Sequence, residues 1–267
     1  MRLYRIIIIL FIYVQLSFAQ QFSEAIEDNS FLIEEAYNQD NRVVQHISTA
    51  YYQYSTKNFL YTFTQEWPVG GQTNQLSYTI PYQSINSSTK GLGDIYLNYR
   101  YQLWDEKNWG WVAPRFSVIL PTGKSSEGLG NGVVGFQVCV PLSKRWTDQF
   151  ITHFNVGFTL LPNVESTLDD NSKVKKTLPS YYFGTSGIWL VNENFNFMCE
   201  LLHFINSAVN ESGNVEFSSQ TIISPGIRVA INLGSLQIVP GIAMPITFDA
   251  NQTNANVYGY LSFEHPF

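Results

Sequence analysis

Charge is what this sequence has least of. Asp, Glu, Lys and Arg together make up 13% of 267 residues, and the net charge is −6. No block of like charge occurs, so the basic footprint that general nucleic-acid binding requires is absent. Cysteine is almost missing: Cys139 and Cys199 stand alone, with no CxxC and no clustered His/Cys spacing. That excludes a disulfide-stapled scaffold and the common thiolate zinc sites. There is no GxSxG motif, and Gly123-Lys124-Ser125 has Val118 where a phosphate loop places its first glycine. Nothing implies a metal or organic cofactor. Long apolar runs are confined to the N-terminus. Beyond Ala19 no stretch approaches the roughly 20 apolar residues that a membrane-crossing helix needs.

What is abundant is aromatic: 16 Tyr and 19 Phe, with many Thr and Val between them. Such residues favour strands over helices. At the start, Arg2 and Arg5 precede the apolar run Ile6–Val14, and Ser17-Phe18-Ala19 follows with small residues where a signal peptidase reads. Residues 1–19 are therefore expected to be a cleaved signal peptide. An exported chain that lacks a membrane helix can still span a bilayer as a closed β-barrel. A secreted β-sandwich shares the composition and is the soluble alternative.

Residues 20–41 are polar and irregular, apart from Phe31-Leu32-Ile33 followed by Glu34-Glu35. They are expected to form an N-terminal periplasmic segment. From residue 42 to residue 267 the pattern has period two. Twelve strands are expected at approximately 42–54, 58–68, 74–84, 93–104, 109–121, 133–143, 148–161, 180–191, 194–206, 217–231, 235–247 and 255–266, most of them of the length a tilted membrane strand requires. Turns alternate between short ones, such as Asn192-Glu193, and longer polar ones, such as Thr122–Gly132 and Pro162–Pro179. That alternation is the habit of bacterial outer-membrane barrels, with short turns on the periplasmic side. Trp67, Trp104, Trp109, Trp111, Trp146 and Trp189 all fall beside the short turns. Indoles favour a membrane interface, where the ring is apolar and the N–H is wet. Pro114, Pro225 and Pro240 interrupt the strand pattern. A closed barrel has no edge to tolerate their missing N–H, so bulges are expected there.

Facing follows from parity. Leu97, Tyr99, Tyr101, Phe116, Val138, Phe154 and Val156 belong to outward faces. A lipid-facing arginine at mid-bilayer costs about 2–4 kcal/mol, so the strand arginines should turn inward. The expected lumen set is Glu66, Asp94, Arg100, Arg115, His153, Glu200 and Arg228. Pairing across the Asp105–Asn108 turn sets Arg100 opposite about Ala113, with Arg115 its diagonal neighbour. Two cations this close need counter-charges. Acids of the wall would make them a structural network; a solute would make them a constriction selecting small anionic or polar molecules. His153 would need a nucleophile and an orienting group to be a catalytic base, and the sequence supplies no obvious partner. The two cysteines fall on opposite faces of non-neighbouring strands.

Gly91-Leu92-Gly93-Asp94, Tyr99-Arg100-Tyr101, Leu103, Pro121-Thr122-Gly123 and the Gly128–Gly132 loop resemble the outer-membrane "transporter" family named for the MetA (meta) pathway of phenol degradation. The resemblance covers roughly residues 60–250. It implies an outer-membrane barrel linked to uptake of small, often aromatic, compounds. The alternating last strand ends on Phe267, which resembles the insertion signal read by the barrel-assembly machinery.

The expectation is thus an all-β transmembrane antiparallel barrel of about twelve strands in the outer membrane, not an enzyme. It would pass or bind a small solute and have outer-membrane lipids and lipopolysaccharide as surroundings. Lys173, Lys175 and Lys176 could meet lipopolysaccharide phosphates. The alternatives are a structural or adhesive barrel with a plugged lumen, and an outer-membrane lipid-modifying enzyme.

Overall fold

The structure is a computed structural model that describes residues 30–105, 107, 109–250 and 252–267. The expected signal peptide lies outside the described residues. Twelve barrel strands follow one another: β1 (Val43–Gln53), β2 (Asn58–Pro68), β3 (Asn74–Ile85), β4 (Thr89–Leu92 and Ile95–Tyr101), β5 (Trp111–Val112 and Arg115–Leu120) and β6 (Gly135–Thr147). The second half comprises β7 (Phe150–Thr167), β8 (Lys173–Asn192), β9 (Phe195–Val209), β10 (Val215–Val229 and Ile231–Leu233), β11 (Leu236–Ala243 and Ile246–Phe248) and β12 (Thr253–Ala255 and Val257–Pro266). Each strand pairs antiparallel with the next. β1 pairs with β12, from Val43 opposite Pro266 to Tyr52 opposite Val257, and so closes the sheet into a barrel. Closure removes every edge within the barrel wall.

The prolines explain where the ladder lapses. β4 is interrupted at Gly93-Asp94, opposite Pro81 of β3; Gly93 N–H donates to the Pro81 carbonyl, but Pro81 has no N–H to return. β5 is interrupted at Ala113-Pro114, and β11 at Met244-Pro245, where β10 presents Pro225. Short gaps thus take the place of the bulges expected at Pro114 and Pro225, while Pro240 keeps its pairing with Leu261. Across the β5 gap the register slips by one residue, between the Trp104–Val112 bridge and the Arg100–Arg115 pair. Arg100 therefore stands directly opposite Arg115, not opposite Ala113. A hairpin turn extrapolated without this slip and the longer connection misplaces the pair.

The long outer connections are less irregular than their polarity suggests. Pro162–Pro179 is mostly strand: β7 and β8 continue as a hairpin past the barrel, turning only at residues 168–172. Alternating Val, Thr and Ser there support a strand without a buried face. The other end carries the short turns, and all six tryptophans gather at it. Trp104, Trp109, Trp146 and Trp189 are about half exposed.

The outside of the barrel is apolar. Leu97, Tyr99, Phe116, Phe136, Val138, Phe154 and Val156 point away from the lumen and are exposed. A soluble chain rarely exposes so continuous an apolar surface, so a hydrocarbon environment accounts for it. Inside, the wall is divided. The β8–β12 side presents Ile188, Met198, Leu202, Val239 and Tyr258. The β3–β7 side presents Gln75, Ser77, Asn98, Ser117, Ser143 and Asn155.

Candidate functional site

Residues 30–41 have no regular structure, and residues 30–39 lie inside the barrel. The chain passes from Asp40, whose carbonyl accepts the Val43 N–H at the foot of β1, into the lumen rather than away below it. Its sequence matches the divided wall. Phe31 and Ile33 sink into the apolar half, joining clusters with Tyr258, Tyr260, Met198, Val239 and with Leu202 and Ile222. Glu34, Glu35, Asn38 and Gln39 turn toward the polar half.

The arginine pair is the centre of that polar half. Arg100 Nη1 and Nη2 both donate to Glu35 Oε1 at 3.2 Å, Nη2 also donates to the Tyr37 carbonyl at 2.7 Å, and Nε donates to Asn38 Oδ1 at 3.1 Å. Arg115 meets Glu34 as a fork: Nε to Oε2 at 2.8 Å and Nη2 to Oε1 at 2.5 Å. Its remaining donors reach Asn98, Ser117 and Gln137. A planar guanidinium and a carboxylate matched at two points form a directional contact. Two adjacent acids of the plug thus neutralise two adjacent arginines of the wall.

Glu66 supplies the second negative charge to Arg100, at 3.7 Å, and accepts from Gln75 Nε2 at 2.8 Å. Glu200, fully buried on β9, uses one carboxylate oxygen to accept three successive plug amides: Phe31 at 2.9 Å, Leu32 at 2.8 Å and Ile33 at 3.1 Å. Backbone donors without a sheet partner are costly to bury, and this one carboxyl oxygen satisfies three of them. Asn155 clamps Glu34 from both sides, accepting its N–H at 2.7 Å and donating to its carbonyl at 2.7 Å. Gln39 N–H donates to Gln75 Oε1 at 2.7 Å.

His153 does have a neighbour that the sequence did not reveal. Ser143 Oγ lies 2.6 Å from its Nδ1, and the Ala36 N–H donates to the same Oγ at 2.7 Å. Ser143 and His153 are both fully buried. The serine is occupied by holding the plug, and it stands far from the outer rim where a lipid-modifying enzyme would need its nucleophile. Arg228 is fully buried opposite Asn196 and packs against Gly241.

Asp94 stands apart from this cluster, at the other end of the lumen. Its Oδ1 accepts the Gly123 N–H at 3.0 Å, and its Oδ2 accepts Asn131 N–H at 2.7 Å and Asn131 Nδ2 at 2.9 Å. The loop 121–132 is thereby folded down onto β3 and β4, with Leu129 buried and its carbonyl accepting from Gln83 Nε2 at 2.7 Å. A Cβ on Gly130 would collide with the Asp94 carboxylate, and one on Gly123 with the Leu129 carbonyl. The GLGD and PTG residues are two halves of one clasp.

Six of the seven expected lumen residues line the level of the plug or its wall, and Asp94 serves the outer loop. What the sequence did not reveal was Glu34 and Glu35 as partners of Arg115 and Arg100. The lumen set already held Glu66, Asp94 and Glu200 as candidate partners for the arginines, which left Glu34 and Glu35, two acids beside an apolar triplet, without a role. Cys139, buried and inward, and Cys199, exposed and outward, are both free.

No family model matches the chain, and no curated protein matches it in sequence. Solved structures do. An outer membrane channel from Pseudomonas putida F1 is similar over 90% of this chain and 99% of that one, with a TM-score of 0.61 at 12% identity. The NanC porin is similar over 83% of this chain and 100% of that one, with a TM-score of 0.52 at 9% identity. At these identities the likeness is one of fold: the chain is an outer-membrane-type β-barrel.

Proposed function

We propose that this protein is an outer-membrane channel that its own N-terminal segment holds closed. One observation carries the reading: the charges that neutralise Arg100 and Arg115 come from a segment that is not part of the wall. While residues 30–41 are in place, the lumen is filled at their level. When they leave, Glu34 and Glu35 leave with them. Arg100 and Arg115 then face water with only Glu66 close by, a ring of net positive charge that favours small anions or polar solutes. Twelve strands suit this behaviour, lying between eight, which side chains fill, and sixteen, which leave an open channel.

The plug is held in a way that permits release. Breaking a buried ion pair costs about 3–5 kcal/mol when one partner stays dry and unpaired. Here the vacated lumen admits water, so each exposed arginine is rehydrated and the cost falls toward that of a surface pair, about 0–1 kcal/mol. Resemblance to the meta-pathway family would add aromatic solutes to the reading. Of the residues carrying that resemblance, the GLGD, PTG and Gly128–Gly132 residues form the outer clasp and Arg100 faces the plug; none of them points to an aromatic solute.

A permanently plugged structural barrel is the second reading, favoured by how fully Glu200, Asn155 and Ser143 satisfy the plug backbone. Conductance in planar bilayers separates the two. The Glu34→Gln/Glu35→Gln variant should open far more often than the wild type and pass anions preferentially. Adding Arg115→Ala should reduce that preference. A double Gln variant that is as silent as the wild type would leave the static plug standing.

A further inference from the structure

The plug is held as a peptide ligand is held. Between Phe31 and Asn38, six backbone N–H groups donate to side chains of the wall: Phe31, Leu32 and Ile33 to Glu200, Glu34 to Asn155, Ala36 to Ser143, and Asn38 to Gln102 Oε1 at 2.9 Å. Carbonyls accept from the wall as well. Tyr258 Oη donates to that of Phe31 at 2.8 Å, Asn155 to that of Glu34, Arg100 to those of Glu35 at 3.1 Å and Tyr37, and Gln102 Nε2 to that of Ala36 at 2.8 Å. The segment has no ladder of its own, so the wall supplies the partners that a sheet would.

Side chains are read in order too. A Cβ on Gly226 or Gly241 would collide with the Phe31 ring, and one on Gly184 with Ile33. Glycine at these wall positions thus leaves two seats, for alternate residues of the segment. Phe31 sits against Tyr258 and Tyr260, 5.5 Å from each centroid, and Ile33 against Leu202 and Ile222. The carboxylates of Glu34 and Glu35 follow, on Arg115 and Arg100. Main-chain hydrogen bonds for affinity and alternate side-chain pockets for specificity are the means by which proteins recognise extended peptides. A simple anion would match the two arginines alone. It would leave Glu200, Asn155, Ser143 and Gln102 without a partner from the solute, whereas a peptide replaces the plug group for group.

We infer that the lumen is a peptide-binding site: its solute is a short, extended acidic peptide with apolar residues ahead of the acids, and the plug is a tethered mimic of it. This rests on the reading that the plug can leave the lumen, and it narrows the anionic or polar solute to one class. Tethering gives the plug an effective concentration on the order of millimolar. Free peptide therefore enters where the plug is loosened and competes poorly where it is not.

A fluorescent synthetic peptide with the sequence of residues 30–39, acetylated and amidated at its ends, tests the site by anisotropy. The full-length Glu34→Gln/Glu35→Gln variant in detergent should bind it saturably and far more tightly than the wild type, whose own plug competes. The same peptide N-methylated at the amides of Leu32 and Glu34 keeps its charges and side chains but loses its donors to Glu200 and Asn155. It should bind about tenfold more weakly. Glutarate, a small dianion, should not displace the labelled peptide at concentrations where unlabelled peptide does. No saturable binding to the variant, equal binding of the N-methylated peptide, or displacement by glutarate as effective as by peptide each overturns the inference. Heat-modifiable migration on gels confirms the fold, and Glu34→Gln alone replaces the double variant if that one does not fold. Conductance of the variant without peptide reads the channel separately. A channel that opens but binds no peptide overturns the peptide and leaves the channel standing.

Discussion

Arg100 and Arg115 face each other across β4 and β5 with no choice of neighbour. Like charges directly opposite on a sheet repel, so this pair is tolerable only with anions between or beside them. Glu34 and Glu35 supply those anions, and consecutive residues of an irregular segment can reach both. Asp94 illustrates the same economy with a different result. Three donors from Gly123 and Asn131 converge on one carboxylate. Asp94→Ala removes acceptors worth about 1–3 kcal/mol for each donor that is left without a replacement. Because loop 121–132 lies at an open mouth, water replaces them and the barrel stays folded. The amides of Gly123 and Asn131 should then exchange with deuterium much faster than in the wild type, while those of β6 and β7 keep their protection. Unchanged protection at Gly123 would show that Leu129 packing alone holds the loop.

At the scale of elements, the strands were legible because period-two alternation survives in most of them. Phe136, Val138 and Val140 outward, with Cys139 and Ser143 inward, need no tertiary knowledge to place. The interruptions were half legible. Pro114 and Pro225 announced trouble, but whether a proline yields a bulge or a gap depends on the neighbouring strand, which the local sequence does not contain. The plug was not legible by periodicity at all, since residues 30–41 repeat nothing and most of their hydrogen bonds go to residues far away in sequence. Complementarity was the available clue: apolar Phe31-Leu32-Ile33 and acidic Glu34-Glu35 mirror a lumen that is apolar on one side and basic on the other. The β7–β8 hairpin carries a prediction of its own. Beyond Leu161–Leu178 its residues pair only with each other, and its tip contacts Gly213 through Leu168 and Val174. Replacing residues 163–176 with a short Asn-Gly turn should leave heat-modifiability and conductance at wild-type values. Loss of folded barrel would mean that the hairpin supports closure from outside the wall.

The whole molecule is a barrel whose interior is completed by a segment that enters from one end. Most barrel stability belongs to the closed ladder, while the state of the lumen is decided by a short segment and a few charges. Two conformations that share a wall and differ only in the plug can lie within a few kcal/mol, and small changes in conditions then move the balance. Salt is the most direct lever. The Debye length shrinks from about 10 Å at 0.1 M to about 3 Å at 1 M, which weakens attraction between Arg100 or Arg115 and acids that are partly withdrawn into water. Closed contacts at 2.5–3.2 Å are screened little, so salt acts mainly by stabilising the released state, whose bare arginines it surrounds with counter-ions. The apolar hold of Phe31 and Ile33 is strengthened slightly by salt and opposes the shift, so the net effect isolates the electrostatic part. Open probability, not current amplitude, is the quantity to follow, because amplitude rises with salt in any channel. In wild-type protein the open probability should climb between 0.1 M and 1 M potassium chloride, two concentrations chosen to span about a threefold change in screening length. In the Glu34→Gln/Glu35→Gln variant, which has lost the two plug charges that meet Arg115 and Arg100, it should stay nearly flat. A wild-type open probability that is independent of salt would show that the apolar anchor, rather than the ion pairs, sets the closed state.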